Sequence, residues 1–390
     1  MCPHTIDWLL LADDLTGALD SGVHFAGAGL RTIVPLGNAP DYPCAQVLVI
    51  DTESRSLSPA GAAAACREAA SKHPAAAVFK KIDSTLRGHP AVELAAAMSV
   101  LGIERALVAP AFPAQGRVTR GGRVWVSGKP LVSRVGSSDL DGDLVHLFGT
   151  CAPVTLLGIG LVRGDINALA EAIRGDGVYI GDAESEGDLE RLVQAARLSG
   201  IRLFCGASGL AHACAGPPRP NRGLDWPRPR LAVVGSRHPV AQNQVDHARQ
   251  RGAEVLAAVG LADAACSGEG FELLVSEAAD GLRRGQAVVI DAGGKVEPAI
   301  DESLMAERLG RLAGEVLHRA PAGGLFLSGG DTAMAVCHAL RVAELELVGE
   351  ALPGLPASRF TGGLYPGLTV ITKAGGFGGE TTLADLLDLP

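Results

Sequence analysis

Short apolar runs alternate with longer helical patterns through the first half of the chain. The apolar runs cover residues 7–12, 31–36, 47–51, 78–83, 105–109, 154–157, 178–182 and 203–205. The helical patterns include one ending near residue 27 and others at 59–73, 90–101, 166–173 and 189–198. Because strands separated by helices favour parallel βαβ units, this half is predicted to be an α/β layer with a largely parallel sheet.

Residues 122–132 interrupt that alternation. Three β-formers, Val124, Trp125 and Val126, precede the turn dipeptide Ser127-Gly128, and a second apolar pair follows at 131–132. A short apolar run on each side of a glycine turn is typical of a β-hairpin. We therefore predict a small hairpin inserted into the first α/β layer.

The clearest compositional boundary lies at residues 217–230, which are rich in proline and arginine and lack apolar periodicity. Such a segment favours a semi-rigid spacer. After it a new strand begins at 231–236, and strand-to-helix patterns recur at 325–340 and 370–387. The sequence thus predicts two α/β domains with largely parallel sheets, at 1–216 and 231–390, joined by the linker 217–230.

Composition limits the classes of function. A chain of 390 residues with 47% apolar residues suits two packed cores, and a net charge of −9 without a basic stripe argues against a nucleic-acid partner. Eight scattered cysteines without a C-x-x-C pair favour a reduced, cytoplasmic protein over a disulfide framework or zinc site. No apolar run has the length of about 20 residues that a membrane helix needs.

Residues 79–88 form the most informative segment of the sequence. They run from an apolar approach into Lys81, Asp83, Ser84 and Arg87. Ligands of open α/β sheets bind at the carboxyl ends of the strands, and Arg and Lys are suited to carboxylates. The segment therefore predicts a site for a small polyhydroxy anion, with a solvated loop of internal ion pairs as the structural alternative.

Two further charge clusters follow predicted strands in the same half. Asp13 and Asp14 lie between the first strand and the first helix, and Arg55 follows the strand at 47–51. Either Asp14 or Thr16 could cap the helix, but adjacent carboxylates repel each other unless they face a cation, a polyol or solvent. We therefore expect both aspartates at a ligand site, with Arg55 contributing to a carboxylate pocket.

The second half has glycine turns at its strand ends, at 235–236, 329–330 and 375–379. Backbone N–H groups at a helix start can bind phosphate, and Lys373 could add a charge. Neither a G-x-x-x-x-G-K-S/T loop nor a G-x-G-x-x-G after the first strand is present. Three such turns in one domain favour nucleotide binding. No metal-ligand spacing is present, so a metal would be Mg²⁺ carried with the nucleotide phosphates.

Together these segments resemble the four-carbon acid sugar kinase family, whose members phosphorylate threonate, erythronate or oxo-tetronate with ATP. The matching segments are 12–18 (ADDLTGA), 80–88 (KKIDSTLRG), 110–117 (PAFPAQGR), 206–211 (GASGLA), 235–236 (GS), 328–332 (SGGDT) and 373–378 (KAGGFG). The chain departs from the family pattern at His89-Pro90, where the family more often has Asn and a second Gly. That departure concerns the identity of the sugar.

The resemblance implies an acid sugar in the N-terminal domain and ATP with Mg²⁺ in the C-terminal domain. The implied sugar-site residues are Asp13, Asp14, Arg55, Lys81, Asp83, Ser84 and Arg87. Our own hypothesis is that either Asp14 or Asp83 acts as the catalytic base for the reacting hydroxyl. The implied nucleotide-site residues are Ser236, Gly329, Gly330, Asp331, Lys373, Gly375, Gly376 and Gly378. The oligomeric state stays open, with a homodimer as one alternative.

Two other functions are compatible with the same residues. An NAD(P)-dependent dehydrogenase of a hydroxy acid would also use glycine-rich strand ends and cations for an acidic substrate. A two-lobed protein that binds sugar acids without catalysis would need the cations but no nucleotide. Stabilisation by ATP with Mg²⁺ distinguishes a kinase from both alternatives.

Overall fold

The computed structural model describes residues 6–37, 45–135, 138–140, 142–219, 223–258, 261, 268–293 and 301–389. The chain divides into two compact units. The N-terminal unit consists of Met1–Val34 and Asp41–Arg219, and the C-terminal unit of Pro35–Pro40 and Pro220–Pro390.

The N-terminal unit alternates strands and helices as its apolar periodicity predicts. Its principal strands are β1 (Ile6–Ala12), β2 (Thr32–Pro35), β3 (Val47–Asp51), β4 (Ala75–Lys81) and β5 (Arg105–Ala109). Its helices up to β5 are α1 (Leu15–Gly27), α2 (Pro59–Lys72) and α3 (Pro90–Leu101). Asp14 and Ser58 are the N-caps of α1 and α2, each accepting a hydrogen bond from a backbone N–H of the first turn.

The hairpin predicted at 122–132 is part of a three-stranded antiparallel sheet. It comprises β6 (Arg117–Arg120), β7 (Arg123–Val126) and β8 (Lys129–Pro130). The sequence analysis did not predict β6, since its alternating polar residues resemble a loop. The turn between β6 and β7 is made by Gly121 and Gly122, which both have positive φ. A second antiparallel pair follows, formed by β9 (Ser133–Val135) and β10 (Ser138–Leu140).

The α/β alternation then resumes to the end of the unit. The remaining elements are α4 (Leu144–Gly149), β11 (Val154–Leu157), α5 (Ile159–Val162), α6 (Ile166–Ala172), β12 (Gly177–Gly181), α7 (Glu186–Leu198), β13 (Leu203–Gly206) and α8 (Ser208–Ala215). The main strands pair in parallel in the order β11-β12-β5-β13-β4-β1-β3-β2. The chain leaves β1 toward β2 and β3 on one side and returns to β4 on the other, so β1 is the topological switch point.

The C-terminal unit is a second α/β layer. Its elements are β14 (Arg230–Val234), α9 (Pro239–Gln250), β15 (Glu254–Ala257), α10 (Glu269–Arg283), β16 (Val288–Asp291), α11 (Glu302–Arg319), β17 (Gly324–Ser328), α12 (Gly330–Ala339), β18 (Glu344–Leu352), β19 (Leu355–Phe360), β20 (Thr369–Lys373) and α13 (Thr382–Leu386). The order is β18-β19-β20-β17-β14-β16-β15; β20 to β15 run parallel, whereas β19 is antiparallel to both neighbours. Both sheets therefore agree with the predicted α/β class.

The spacer predicted at 217–230 differs in part from the structure. Trp226 donates its indole N–H to the carbonyl of Leu386 at 2.8 Å, and Arg230 already belongs to β14. The Arg230 guanidinium lies over the Trp226 ring, 5.4 Å from its centroid. Residues 226–230 are thus packed against the C-terminal unit. The Trp226 ring and the Arg230 guanidinium form a cation–π contact, and the indole N–H binds the carbonyl of Leu386 at the end of α13.

Among the helices in the described ranges, none is both long and apolar enough to cross a bilayer.

Candidate functional site

The switch point of the N-terminal sheet brings the predicted charge clusters to one edge. Strand β1 pairs with β3 so that Ala12 lies opposite Asp51, and with β4 so that Leu11 lies opposite Lys80. The carboxyl ends of three neighbouring parallel strands therefore present their next residues on the same side. Asp13 follows β1, Arg55 follows β3, and Lys81 ends β4 just before the segment 82–87.

Arg55 neutralises the adjacent aspartates. Its guanidinium makes two 2.8 Å hydrogen bonds to Asp13 and a further ion pair with Asp14. Burial alone would raise the pKa of Asp13, but the bond from Arg55 and the charges of Lys80, Arg55 and Lys81 hold it below its usual value. Arg55 is thus engaged by two carboxylates, which explains how adjacent aspartates coexist at this strand end.

Asp14 has a structural role in addition to its ion pair. Its Oδ1 accepts a hydrogen bond from the N–H of Gly17 at 2.9 Å, which caps α1. A side chain at Gly17 would place its Cβ 2.6 Å from that oxygen and 3.0 Å from the Lys81 Nζ. Glycine at 17 therefore allows the carboxylate and the ammonium group to approach the start of the helix.

Asp83 is fixed by the turn that follows β4. One oxygen accepts hydrogen bonds from the N–H of Thr85 at 2.9 Å and from the Thr85 hydroxyl, and the other pairs with Arg87 at 2.7 Å. Burial opposes ionisation, but the Arg87 bond and charge, the Thr85 bond and the Lys81 charge hold the pKa of Asp83 far below its usual value. Asp83 therefore stays ionised.

The same turn contains a backbone conformation that is rare for its residue type. Leu86 has a φ of 62°, although its side chain is buried. A branched residue in the left-handed region is strained, and such strain is concentrated at functional sites. The turn from Asp83 to Gly88 is thus held in a conformation that its sequence does not favour locally.

Lys81 differs from the two arginines of the site. Only 6% of the residue is exposed. Among the residues that the structure describes, its ammonium group makes no direct ion pair or hydrogen bond, although its charge lowers the pKa of Asp13 and Asp83. A buried ammonium group without a direct partner is costly, so this group is suited to an anionic ligand.

A buried polar network that the sequence analysis missed lies beneath this edge. Lys80 is fully buried, forms an ion pair with Glu93 of α3 at 3.1 Å, and donates to the carbonyls of Leu11 and Lys81. The Ser54 hydroxyl donates to the other oxygen of Glu93. The network therefore ties α3 to the ends of β1 and β4 and to the residue before Arg55. The sequence alone does not distinguish the role of Lys80 from that of its neighbour Lys81. Nor does it indicate that Glu93, in the first turn of α3, is the partner of Lys80.

Asp51 is a second residue that the site analysis from sequence did not single out. It is the last residue of β3, and its Oδ1 accepts from the N–H of Glu53 at 2.9 Å. Burial, together with the nearby negative charges of Asp14, Glu53 and Asp13, raises the pKa of Asp51 to about 7, although the backbone hydrogen bond opposes the shift. The strand edge thus combines ionised carboxylates with one that titrates near neutrality.

The glycine turns of the C-terminal unit are closely packed around Ser236. A Cβ at Gly375 would lie 2.1 Å from the Ser236 Oγ, and one at Gly329 would lie 3.6 Å from the Ser236 backbone nitrogen. Gly329 also has a φ of 110°. These positions require glycine because the three turns approach one another closely.

A cavity of about 210 Å³ lies at two of these turns. Its lining residues are Gly235, Ser236, Arg237, Glu302, Met305, Ala306, Leu309, Gly329, Gly330, Asp331 and Thr332. Gly330 is the first residue of the ten-residue helix α12, so its N-terminal N–H groups face this region. Ser236, Gly329, Gly330 and Asp331 are therefore brought together as the sequence analysis predicts.

The third glycine turn does not line that cavity. Lys373 donates to the carbonyls of Ala374, Gly375 and Phe377 at 3.0–3.2 Å, and burial lowers the pKa of Lys373 to about 8. Gly378 is enclosed by Thr382 and Gln244. Helix α13 begins at Thr382, so this turn leads into a helix at nearly the position that the sequence predicts. The ammonium group fixes the turn in a conformation that keeps the glycines outside the helix.

A larger cleft adjoins the cavity. It has a volume of about 980 Å³ and lies between α11 and α12, and it shares Glu302, Ala306 and Asp331 with the smaller cavity. Its other lining residues are Asp301, Ser303, Glu307, Arg311, Met334, Ala335, His338 and Ala339. A mixed apolar and polar cleft of this size is suited to a nucleoside-sized ligand. The helical pattern gave no indication of it.

These residues also permit a test of whether Mg²⁺ would fit. Asp331 and Glu302 supply carboxylates at the cavity, and Mg²⁺ in phosphate sites is usually held by one or two carboxylates together with the phosphates. Within the described parts of the chain no cluster of three or more potential metal ligands is present. The donor set thus fits a metal that arrives with a nucleotide.

Two family models match the chain. One described as a sugar-binding N-terminal domain matches residues 8–214, and one described as a nucleotide-binding C-terminal domain matches residues 231–383. The chain is 35% identical to D-threonate kinase of Salmonella typhimurium, covering 97% of both chains. It is 31% identical to D-erythronate kinase of Heliobacterium modesticaldum and 30% identical to 3-oxo-tetronate kinase of Methylobacterium radiotolerans, each over 97% of this chain and 96% and 98% of the relative.

Solved structures share the fold. A protein of Salmonella typhimurium LT2 aligns with a TM-score of 0.80 over 97% of this chain and 98% of the other, at 20% identity. A Haemophilus influenzae protein aligns with a TM-score of 0.77 over 97% and 99%, at 19% identity. At these identities the likeness concerns the arrangement of strands and helices alone.

Proposed function

Because the chain belongs to the four-carbon acid sugar kinase family, we propose that it transfers the terminal phosphoryl group of ATP to a hydroxyl of a four-carbon acid sugar. The N-terminal unit binds the acid sugar and the C-terminal unit binds the nucleotide. The observation that carries this proposal is the buried ammonium group of Lys81, which makes no direct ion pair or hydrogen bond among the described residues and lies near the carboxylates of Asp13 and Asp83. That combination suits a ligand with one carboxylate and several hydroxyls.

On the sugar side, the positive groups and the carboxylates have different tasks. Lys81 and Arg87 attract the carboxylate of the substrate, and Arg55 holds Asp13 and Asp14 in place. Asp14 and Asp83 accept hydrogen bonds from the sugar hydroxyls, and one of them accepts the proton of the reacting hydroxyl. Phosphoryl transfer has a loose transition state and needs positioning and charge neutralisation more than a strong base, so the low basicity of Asp83 is compatible with this role.

On the nucleotide side, the phosphates occupy the 210 Å³ cavity at Ser236, Gly329 and Gly330, and the nucleoside occupies the adjoining cleft between α11 and α12. The N-terminal N–H groups of α12 donate to the phosphates, and the helix dipole favours their negative charge. Asp331 would hold Mg²⁺, which neutralises phosphate charge when bound.

The relatives suggest which acids to test first. Those named D-threonate kinase reach 35% identity, against 31% for the D-erythronate kinase and 30% for a 3-oxo-tetronate kinase. We therefore propose threonate as the first substrate to assay, followed by erythronate and 3-oxo-tetronate.

An ATP-consumption screen over four-carbon sugar acids of both configurations tests the proposal. We expect ADP formation that depends on one of these acids and on Mg²⁺, and thermal stabilisation by ATP with Mg²⁺ but not by NAD(P)⁺. Stabilisation by NAD(P)⁺ together with oxidation of a hydroxy acid would replace the kinase with the dehydrogenase alternative. Binding of an acid without any response to nucleotide would favour the non-catalytic alternative.

A further inference from the structure

Arg117 is a cation of the small β6–β8 sheet that reaches the strand-edge site. Its guanidinium donates to the hydroxyl of Ser84, the residue that follows Asp83. Its backbone is fixed on both sides, because the Arg117 N–H donates to the carbonyl of Phe112 at 3.1 Å and the Arg117 carbonyl accepts from the N–H of Phe112 at 2.8 Å. The inserted sheet therefore delivers a positive charge to the turn after β4.

The other arginines of the site and of the sheet are paired with acids. Arg55 binds Asp13 and Asp14, Arg87 binds Asp83, Arg120 pairs with Glu184, and Arg123 pairs with Asp143. For Arg117, no carboxylate partner is present in the described ranges, and its buried Nε has no hydrogen-bond partner there. Lys81 likewise makes no direct ion pair among the described residues.

An unpaired guanidinium beside a buried serine is costly in the free protein. The cost is offset when a ligand supplies an anionic group that the guanidinium can bind through two parallel hydrogen bonds. Arg55 and Arg87 already use guanidinium nitrogens on aspartates, so their capacity for a further carboxylate is smaller. The guanidinium of Arg117 has no carboxylate partner among the described residues, and its Nε makes no hydrogen bond there.

We propose that Arg117 binds the carboxylate of the acid sugar, with Lys81 as the second positive charge, and thereby selects sugar acids over neutral sugars. The inference rests on the proposed function, since it names a residue that recognises the acidic end of the substrate. Ser84 orients the guanidinium by accepting one of its N–H groups. The specificity for an acid is then set by the inserted sheet as well as by the strand edge.

The test uses Arg117→Gln and Arg117→Lys, with Arg123→Gln as the matched control. Arg123 lies in the same sheet, is exposed, and pairs with Asp143 away from the site. Calorimetric titration of the full-length protein measures the affinity for the preferred acid, for its uncharged amide and for ATP with Mg²⁺. We expect Arg117→Gln to weaken binding of the acid about 100-fold while binding of the amide and of ATP changes less than about threefold, since truncating one member of a buried charge pair has effects of this order.

The pattern across ligands separates recognition from a merely structural role. The Lys variant is expected to recover part of the preference for acid over amide, and the Arg123→Gln control to keep all of it. Equal weakening of acid and amide would overturn the proposal, as would unchanged binding of the acid. A loss confined to ATP would assign Arg117 to the phosphates instead.

Two checks keep the outcome decisive. Thermal unfolding establishes whether each variant is folded. If Arg117→Gln does not fold, the Arg117→Lys variant decides, through the ratio of its affinities for the acid and for the amide. A ratio equal to that of the natural protein contradicts the proposal. Failure of the wild-type protein to consume ATP with any four-carbon acid would instead reject the proposed function, whereas turnover that is equal in wild type and Arg117→Gln rejects only the role of Arg117.

Discussion

At the scale of single residues, the strand edge of the N-terminal unit is defined by which charges are already paired. Arg55 and Arg87 are engaged by Asp13, Asp14 and Asp83, whereas Lys81 makes no direct ion pair among the described residues. The sequence indicates that these residue types are present after neighbouring strands. It does not indicate the pairing, because pairing depends on side-chain directions in three dimensions.

Replacing Asp83 with Asn removes a negative charge that Arg87, Thr85 and Lys81 stabilise. We expect Asp83→Asn to lower kcat by about 10²-fold or more, since positioned acid–base groups contribute on the order of 10²–10⁴. The KM for ATP should stay within about twofold. Steady-state kinetics with the acid and ATP varied separately make this measurement. Near-normal turnover would remove Asp83 from the reacting site.

Asp51 predicts a pH dependence of stability. Folding raises the pKa of Asp51 from 3.8 to about 7, so the folded protein favours the protonated carboxyl. The contribution of Asp51 to the free energy of unfolding is therefore fully present below about pH 4 and is lost as the pH rises through 7. Asn mimics the neutral carboxyl, so Asp51→Asn should gain melting temperature relative to wild type between pH 5 and pH 8. Thermal scans at both values measure the difference.

Titration of His24 changes the stability in the opposite direction with pH, but it does not affect the comparison of wild type with Asp51→Asn. Burial lowers the pKa of His24 to about 3, so its stability is present above pH 6.5 and is lost as the pH falls. Both proteins contain His24, and its contribution cancels in the difference. A difference in melting temperature that is the same at pH 5 and pH 8 would show that Asp51 titrates normally.

At the scale of elements, the Lys80–Glu93 pair joins α3 to the strands that form the site. Breaking a buried ion pair by removing one partner costs about 3–5 kcal/mol, because the other charge is left unpaired. We therefore expect Lys80→Met to lower the free energy of unfolding by about that amount. The Lys80→Met/Glu93→Leu double variant should lose less, since no charge remains buried alone.

Chemical denaturation of the two variants makes that measurement. Activity is measured as a control at a temperature where both variants are folded. Any loss of activity in the double variant then reports the missing contacts of Lys80 with the carbonyls of Leu11 and Lys81, and not unfolding. A single variant as stable as wild type would contradict the account of a buried pair.

Most helices and strands can be predicted from the sequence, but some cannot. The alternation of apolar runs and helical patterns predicted the α/β class, and the caps at Asp14 and Ser58 have the contacts expected of them. Strand β6 was missed because Arg117, Thr119 and Arg120 carry a polar pattern that only its pairing with β7 makes into a strand. The left-handed conformation of Leu86 was equally unpredictable, since no local preference of leucine favours it.

At the scale of the whole molecule, two units of the same α/β class carry different residue types at the ends of their strands. The N-terminal unit places charges at its switch point, and the C-terminal unit places glycines around Ser236 beside a cleft between α11 and α12. The sequence predicts that charged residues follow neighbouring strands of the first unit, and the structure places those residues at one edge of its sheet. The cleft could not be predicted, because small residues such as Ala306 and Ala335 have no signal apart from helical periodicity.

The assignment of one ligand to each unit is tested most directly by the affinities of two variants for both ligands. Lys81→Met removes a buried cation of the first unit, and Gly329→Val places a side chain at a φ of 110° in the second. Titration calorimetry should show at least about tenfold weaker binding of the acid sugar, with unchanged ATP affinity, for Lys81→Met, and the reverse for Gly329→Val. If Lys81→Met lost affinity for ATP and kept its affinity for the acid, or Gly329→Val lost the acid and kept ATP, the assignment of the ligands to the units would be contradicted.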